Sequence, residues 1–330
     1  VPKELTHWHI ASDAMQRGAS GQVGEIIDGN PALYYIGAIA HDIGFYDLSK
    51  SSEMNLENMA NQLHGVDGEN TFLPLIEMME TALSQNNKRT QLALLLGMLT
   101  HVVADSIFHP MVYYMSGNYF AEDPDEQDKA VFRHRLVETA IDRWLETVDP
   151  VEYPLDLIHL WRETGEAGRE AFELLDAHYA HLGDKGAHFK KAWRNYRFLQ
   201  NTFIWSTPYR ILALYRQLGH PSVEKYEALF YSQPLNVSFF DSSLDWLHPV
   251  TGARYVTTLQ ELYDGSVEKV ISLFERLNTQ PIEKWPDLLR ELQPVSLVTG
   301  LPYVPVADMN YFRTEPIEHR LRLDMKNREI

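Results

Sequence analysis

Apolar residues recur along this chain at the three-to-four-residue spacing of amphipathic helices, and no run alternates polar and apolar positions as a half-buried strand does. The segment "THWHIASDAM" (6–15) offers Thr6 as an N-cap before an amphipathic stretch. "NPALYYIGAIAHDIGFYD" (30–47) is apolar on nearly every side, with Pro31 suited to a first helical position and Gly44 to an end. "HGVDGENTFLPLIEMMETALSQ" (64–85) reads as a polar loop feeding a helix. Further helices are predicted over 90–109, within an apolar stretch that runs from 92 to 115, and over 128–148. Later ones fall around 155–181, 186–199, 204–218, 221–230, 255–276 and 282–291. The pattern defines an all-α, multi-helix bundle. "YSQPLNVSFFDSSLDWLHPVTG" (231–252) is the longest irregular stretch. It marks the expected boundary between a helical body, residues 1–230, and a C-terminal extension, residues 231–330, packed on that body or continuous with it. The tail "PVSLVTGLPYVPVADMN" is Pro-punctuated coil expected to lie across the body.

The most apolar helix contains a conflict. In "LLLGMLTHVVADSIFHPMVYYM" (94–115), His101, Asp105 and His109 interrupt the run at intervals of four. At about 100° per residue such positions share one face. Buried imidazoles and carboxylates are costly unless they are paired, hydrogen-bonded or bound to a metal. Hydrogen bonds alone could satisfy an aspartate between two histidines, so the rest of the chain has to decide. "HRLVE" sets His134 and Glu138 four apart on the next helix, and a loop between antiparallel neighbours would bring them against the first trio. Asp42 sits inside an apolar run where an unpaired carboxylate is expensive. His64 lies at the edge of a Gly-containing loop, and "THWHIA" adds His7, with His9 competing for the same role. His41 directly precedes Asp42, and a helix would turn it about 100° away, which marks it as a supporting or structural residue. The histidines from 159 onward read as structural.

Bulk composition narrows the chemistry. The 330 residues are 45% hydrophobic and 23% charged, as in ordinary globular proteins. Acidic residues outnumber basic ones 46 to 29, for a net charge of -17, which argues against stable nucleic-acid binding. With no cysteine in the chain, any metal must be held by histidine and carboxylate. The opening "VPKELTHWHI" lacks a basic segment followed by an apolar run, which sets the expectation of a cytoplasmic protein. The stretch 92–115 is long enough to span a bilayer, but its central His, Asp and His make a buried core helix the expectation and no transmembrane segment is assigned. Segment 122–128 holds five acidic residues in seven and reads as a solvated turn.

Seven of the 14 histidines fall in the first 138 residues. Four imidazoles and three carboxylates, before His7 is counted, exceed the usual four ligands of one zinc ion and would serve two or three. The order Asp42, His64, H-x-x-x-D at 101–105, His109 and H-x-x-x-E at 134–138 resembles the zinc-dependent phospholipase C family. The His101-to-His109 spacing and the "THxxIA" at 6–11 resemble the catalytic domain of glycosylphosphatidylinositol phospholipase D in particular, and single-strand-specific zinc nucleases share the wider superfamily. The resemblance covers residues 1 to about 145, with "DWLHPVTG" (245–252) a less diagnostic echo.

This resemblance implies a trinuclear zinc cluster in a helical fold. Asp42, His64, His101 and Asp105 would hold one ion, and His109, His134 and Glu138 a second. Asp105 would bridge to a third, supported by His7. Secreted bacterial members complete that third site with the amine and carbonyl of an N-terminal tryptophan; here water or His9 would take that place. The implied activity is hydrolysis of phospholipids or related small phosphodiesters by in-line attack of an activated water, with Asp42 doubling as general base. A zinc nuclease, or a helical metal-binding protein without hydrolytic activity, are the alternatives. No G-x-S-x-G or Gly-rich phosphate loop competes.

Overall fold

In the computed structural model, which describes residues 3–48, 56–148, 156–181 and 187–323, helices form nearly all of the regular structure. The first eight are α1 (Glu4–Gly18), α2 (Gly21–Gly29), α3 (Pro31–Gly37), α4 (Leu56–Leu63), α5 (Phe72–Leu83), α6 (Lys88–Ser116), α7 (Pro124–Val148) and α8 (Leu157–His181). They are followed by α9 (Ala187–Phe203), α10 (Ser206–Gln217), α11 (Glu224–Glu227), α12 (Leu259–Asn278), α13 (Trp285–Arg290) and α14 (Glu318–Leu321). The predicted helix starts at 155 and 186 lie outside the described residues, as do the chain ends at 1–2 and 324–330.

Helix α6 is apolar all round, and a helix of that kind needs neighbours on every side. It is long and apolar enough to cross a membrane, yet 94% of its most apolar window is buried inside the fold. Helices α1, α3, α5, α7 and α12 surround it, so the element carrying His101, Asp105 and His109 is the axis of the molecule.

The run 30–47 is not one helix. Helix α3 stops at Gly37, and a 3-10 helix follows over Ala40–Tyr46. Two features impose the break. The Ala38 carbonyl is taken by the His101 ring at 2.9 Å. In addition, α3 and α6 cross backbone to backbone: a Cβ on Gly37 would stand 2.0 Å from the Leu94 carbonyl oxygen, and one on Gly97 2.0 Å from that of Tyr34. Only glycine permits this approach.

Helix α1 begins at Glu4, ahead of Thr6, because its cap comes from elsewhere in the chain. Asp142 of α7 accepts from the backbone N–H of Leu5 (3.1 Å) and of Thr6 (2.9 Å), and from the Thr6 hydroxyl (2.6 Å). A carboxylate at a helix N-terminus satisfies free amides and the helix dipole together. It also locks α1, and with it His7, to α7. The acidic run 122–128 does the same work for α7: Asp123 accepts from the Glu126 N–H at 2.9 Å, and Asp125 and Glu126 occupy the first turn.

The stretch expected to be irregular contributes the first strand of a hairpin, β1 (Leu244–Leu247), whose partner β2 (Arg254–Thr257) follows it, antiparallel and paired Trp246 to Tyr255. Strands of four residues are too short to show alternation; stacking of Trp246 on Tyr255 at 4.6 Å and the Arg254–Asp245 ion pair hold them. The helix predicted over 255–276 therefore starts later, at a capping box formed by Thr258 and Glu261. The predicted helices 221–230 and 282–291 shorten to 3-10 turns followed by α11 and α13. From there the tail runs back across the body: Ser296 Oγ donates to the Gly65 carbonyl (2.8 Å) and Leu297 N–H to that of His64 (2.9 Å).

Two outcomes follow from this scaffold. Gly97→Ala should destabilise the protein by about 2–3 kcal/mol, since the new methyl meets backbone that cannot move aside; an unchanged denaturation midpoint would contradict the close crossing. Burial, opposed by the Thr6 hydrogen bond, raises the Asp142 carboxyl from 3.8 to about 6. A carboxyl raised by folding favours the folded state in acid, and this contribution is lost as pH rises from 3.8 through about 6. The stability of the parent relative to Asp142→Asn should therefore fall across that window, and a pH-independent difference would contradict the assignment.

Candidate metal centre

Asp105 is the centre of the constellation and has no solvent exposure. One carboxylate oxygen lies 3.0 Å from His101 Nε2 and 3.7 Å from the Nε2 atoms of His64 and His109. The other lies 3.3 Å from His7 Nε2. Asp42, from the 3-10 turn, places Oδ1 3.3 Å from His64 Nε2 and 3.8 Å from His101 Nε2. On α7, His134 Nε2 and Glu138 Oε1 are 2.8 Å apart. Potential ligand atoms thus gather into three groups: His7, His101 and Asp105; Asp42, His64 and His101; His109, His134 and Glu138. Within each group they lie within 4.8 Å of one another. All eight side chains expected from the sequence are brought together, with His101 common to two groups.

The orientation of the rings decides what the cluster can hold. His64 Nδ1 bonds to the Ala60 carbonyl at 2.7 Å, His101 Nδ1 to that of Ala38 at 2.9 Å, and His109 Nδ1 to that of Leu297 at 2.8 Å. A carbonyl only accepts, so each Nδ1 carries the proton and each Nε2 turns a lone pair toward the carboxylates. The Nε2 atoms of His7, His64, His101 and His109, both oxygens of Asp105 and Oδ1 of Asp42 are buried and without a hydrogen-bond partner. The lone pairs of His64 and His101 face carboxylate oxygens at 3.0–3.8 Å and are repelled by them unless a cation lies between. Two ligands about 2.0–2.1 Å from a tetrahedral zinc stand about 3.3 Å apart, which matches this spacing. The residues fit zinc.

Burial lowers the proton affinity of His7, His41, His109 and His134 and favours their neutral forms. At His101 burial is outweighed by Asp105 and Asp42, which raise its proton affinity and so draw positive charge to this point. Burial would raise Asp105, but His101, His109 and His7 outweigh it and hold its carboxyl well below the usual range. Neutral imidazole and ionised carboxylate are the forms that bind metal.

Three positions are defined by the tertiary structure rather than by spacing. His7 reaches Asp105 and His9 does not join the described groups, because two residues on a helix lie about 200° apart. His41 belongs to the cluster wall: its ring stacks on His101 at 4.9 Å and meets His64 edge-on at 5.9 Å, with both ring nitrogens buried and without a hydrogen bond. The 3-10 turn, which replaces the predicted helix, brings it there. Leu297 carries no side-chain signal, yet its carbonyl orients His109 from nearly 190 residues away. On the outer side, Tyr113, Tyr119 and Phe120 form an aromatic edge beside His134, with ring centroids of Tyr113 and Tyr119 4.6 and 5.0 Å from it.

Residues 6–175, just over half of the chain, match the family model described as zinc dependent phospholipase C. The chain belongs to this family, whose zinc dependence agrees with the buried His and Asp groups. Searches among curated proteins and among solved structures returned no match.

The central place of Asp105 can be tested by metal content. Asp105→Ala should lower bound zinc by more than one equivalent, because the carboxylate faces imidazoles of all three groups. Glu138→Ala, confined to one group, should remove mainly one. Equal losses by elemental analysis would contradict a shared carboxylate.

Proposed function

We propose that the chain is a hydrolase of phospholipase C type that cleaves phospholipids or related small phosphodiesters with two or three zinc ions. His7, Asp42, His64, His101, Asp105, His109, His134 and Glu138 would hold them. The observation that carries this reading is the buried cluster of imidazoles and carboxylates: seven nitrogen and oxygen atoms converge away from solvent without a hydrogen-bond partner. A structural zinc site closes at four ligands, and this set exceeds that number. When bound, zinc supplies a water activated near neutral pH and neutralises the anionic oxygens of a phosphodiester.

The chain's own residues divide the remaining tasks by exposure. The Asp105 side chain is 0% exposed and serves to hold charge in place, whereas that of Asp42 keeps 11% and faces entering water. Asp42 is thus the residue to accept a proton at Oδ2 while Oδ1 stays directed at His64 and His101. Backbone carbonyls of Ala38, Ala60 and Leu297 keep three imidazoles oriented through the cycle. The half-buried Tyr119 and Phe120 offer an apolar edge to the alcohol side of the ester.

The zinc-loaded protein should hydrolyse a phosphocholine ester or an aryl phosphodiester, and Asp42→Asn should lower kcat by about a hundredfold or more, the scale of general base catalysis. Single-stranded DNA and RNA should be cleaved slowly or not at all, given a net charge of -17. The comparison belongs at low salt, where nucleic-acid attraction is strongest. Rapid degradation of nucleic acid there, without diester hydrolysis, would overturn the proposal in favour of a nuclease.

A further inference from the structure

One segment contradicts the acidic character of the chain. Residues 187–223 contain six Lys and Arg and no Asp or Glu, in a protein of net charge -17. The segment builds α9 and α10, and α10 has no buried residue at all. Its inner side is held by half-buried Tyr209 and Leu212 against Phe203, Phe230 and Tyr231, and by Arg216, which pairs with Glu227 of α11 at 3.0 Å. Its outer side is apolar: Ile211 is 63% exposed, Leu214 58%, Tyr215 46% and Leu218 69%. These positions are spaced i, i+3, i+4 and i+7, the stripe that a helix normally turns toward a core. Trp205, 57% exposed, and Ile204 extend the apolar surface at the corner between α9 and α10. An exposed apolar surface of this extent marks an interaction site.

The charges of the same segment point to what the stripe meets. Lys191, Arg194 and Arg210 are exposed and have no ion-pair partner among the described residues. Arg210 lies one helical turn before Leu214, so cation and apolar stripe share one side. A two-fold contact with a second copy would set these like charges against each other. A basic amphipathic helix with tryptophan at its end is instead suited to the headgroup boundary of a bilayer that carries anionic lipid.

The surface also lies beside the open side of the metal centre. The ligands that retain exposure are Asp42, His134 and Glu138, at 11%, 6% and 7% of their side chains. Both elements that carry them pack against this layer. Tyr46, at the end of the Asp42 turn, stacks on Tyr196 of α9 at 3.9 Å. On α7, Arg135 and Thr139 donate to the carbonyls of Lys225 and Ala228, at and just after α11, at 2.8 and 2.7 Å.

We infer that α10 and the α9–α10 corner form an interfacial docking surface that seats the protein on bilayers containing anionic phospholipid. The inference deepens the phospholipid reading above and rests on it for the nature of the surface met. The test uses the full zinc-loaded chain, with cosedimentation on phosphatidylcholine vesicles with and without phosphatidylglycerol, alongside turnover of a soluble aryl phosphodiester. Binding should require phosphatidylglycerol and weaken with salt. The double variant Ile211→Ser/Leu214→Ser should bind vesicles at least about tenfold more weakly, as expected from two lost apolar anchors. Arg194→Gln/Arg210→Gln should lose the preference for phosphatidylglycerol. Unchanged soluble turnover and melting temperature in both variants would show that their folds are intact. Vesicle binding that neither pair alters would overturn the docking surface. So would a concentration-dependent dimer that Ile211→Ser/Leu214→Ser dissociates without affecting vesicle binding. Failure of the soluble assay with vesicle binding intact would instead overturn only the catalytic reading.

Discussion

Asp105 is a fully buried carboxylate surrounded by the lone pairs of imidazoles whose protons are committed to the backbone. His64, His101 and His109 each donate Nδ1–H outward, to Ala60, Ala38 and Leu297, and so have no proton to offer inward. The arrangement concentrates negative potential in the interior, where the dielectric response is weak and an unpaired charge is expensive. A divalent cation converts the same contacts from repulsive to attractive. Metal bound there would add to stability in the same region to which the proposed chemistry is assigned. An aspartate in the most apolar helix is a liability in a metal-free core and a requirement in a metal site.

Much of the fold keeps that concentration of acceptors in register. The glycine crossing of α3 on α6 lets the chain after Gly37 turn tightly enough to present His41 and Asp42 from one 3-10 turn. The Asp142 cap fastens α1 to α7 and so fixes His7 relative to the helix that carries His134 and Glu138. The tail closes the far side, where Ser296 and Leu297 bind the His64 loop and Leu297 orients His109. Residues 295–301 lie outside the span of the family match, yet they belong to the environment of two of its histidines.

The surface is organised in a different way from the centre. The chain is strongly acidic overall, but residues 187–223 carry six cations and no acid, and apolar side chains also face outward there. Some acidic residues elsewhere are absorbed by local structure, as at the start of α7, where Asp123 caps the helix and Asp128 pairs with Lys225 at 2.7 Å. Net charge alone describes such a molecule poorly, since the sign that a ligand meets depends on the face it approaches.

The helical class and the residues that gather into the candidate metal centre were legible in the sequence, largely because local periodicity sets them out. Spacings of four put His101, Asp105 and His109 on one face, as they do His134 and Glu138, whatever the rest of the chain does. The family resemblance rests on the same spacings and agrees with the family match over 6–175. Tertiary structure alone decided the rest. The choice of His7 over His9 depends on which face of α1 is pinned against α6 and α7. The place of His41 in the cluster wall depends on a helix ending early, because a distant ring claims the Ala38 carbonyl and another backbone crosses at Gly37. The hairpin at 244–257 is too short for its pattern to rise above that of a loop. The role of Leu297 had no residue signature to read. Every residue offers the same backbone carbonyl, so which ones orient the imidazoles is determined only by where the chain packs.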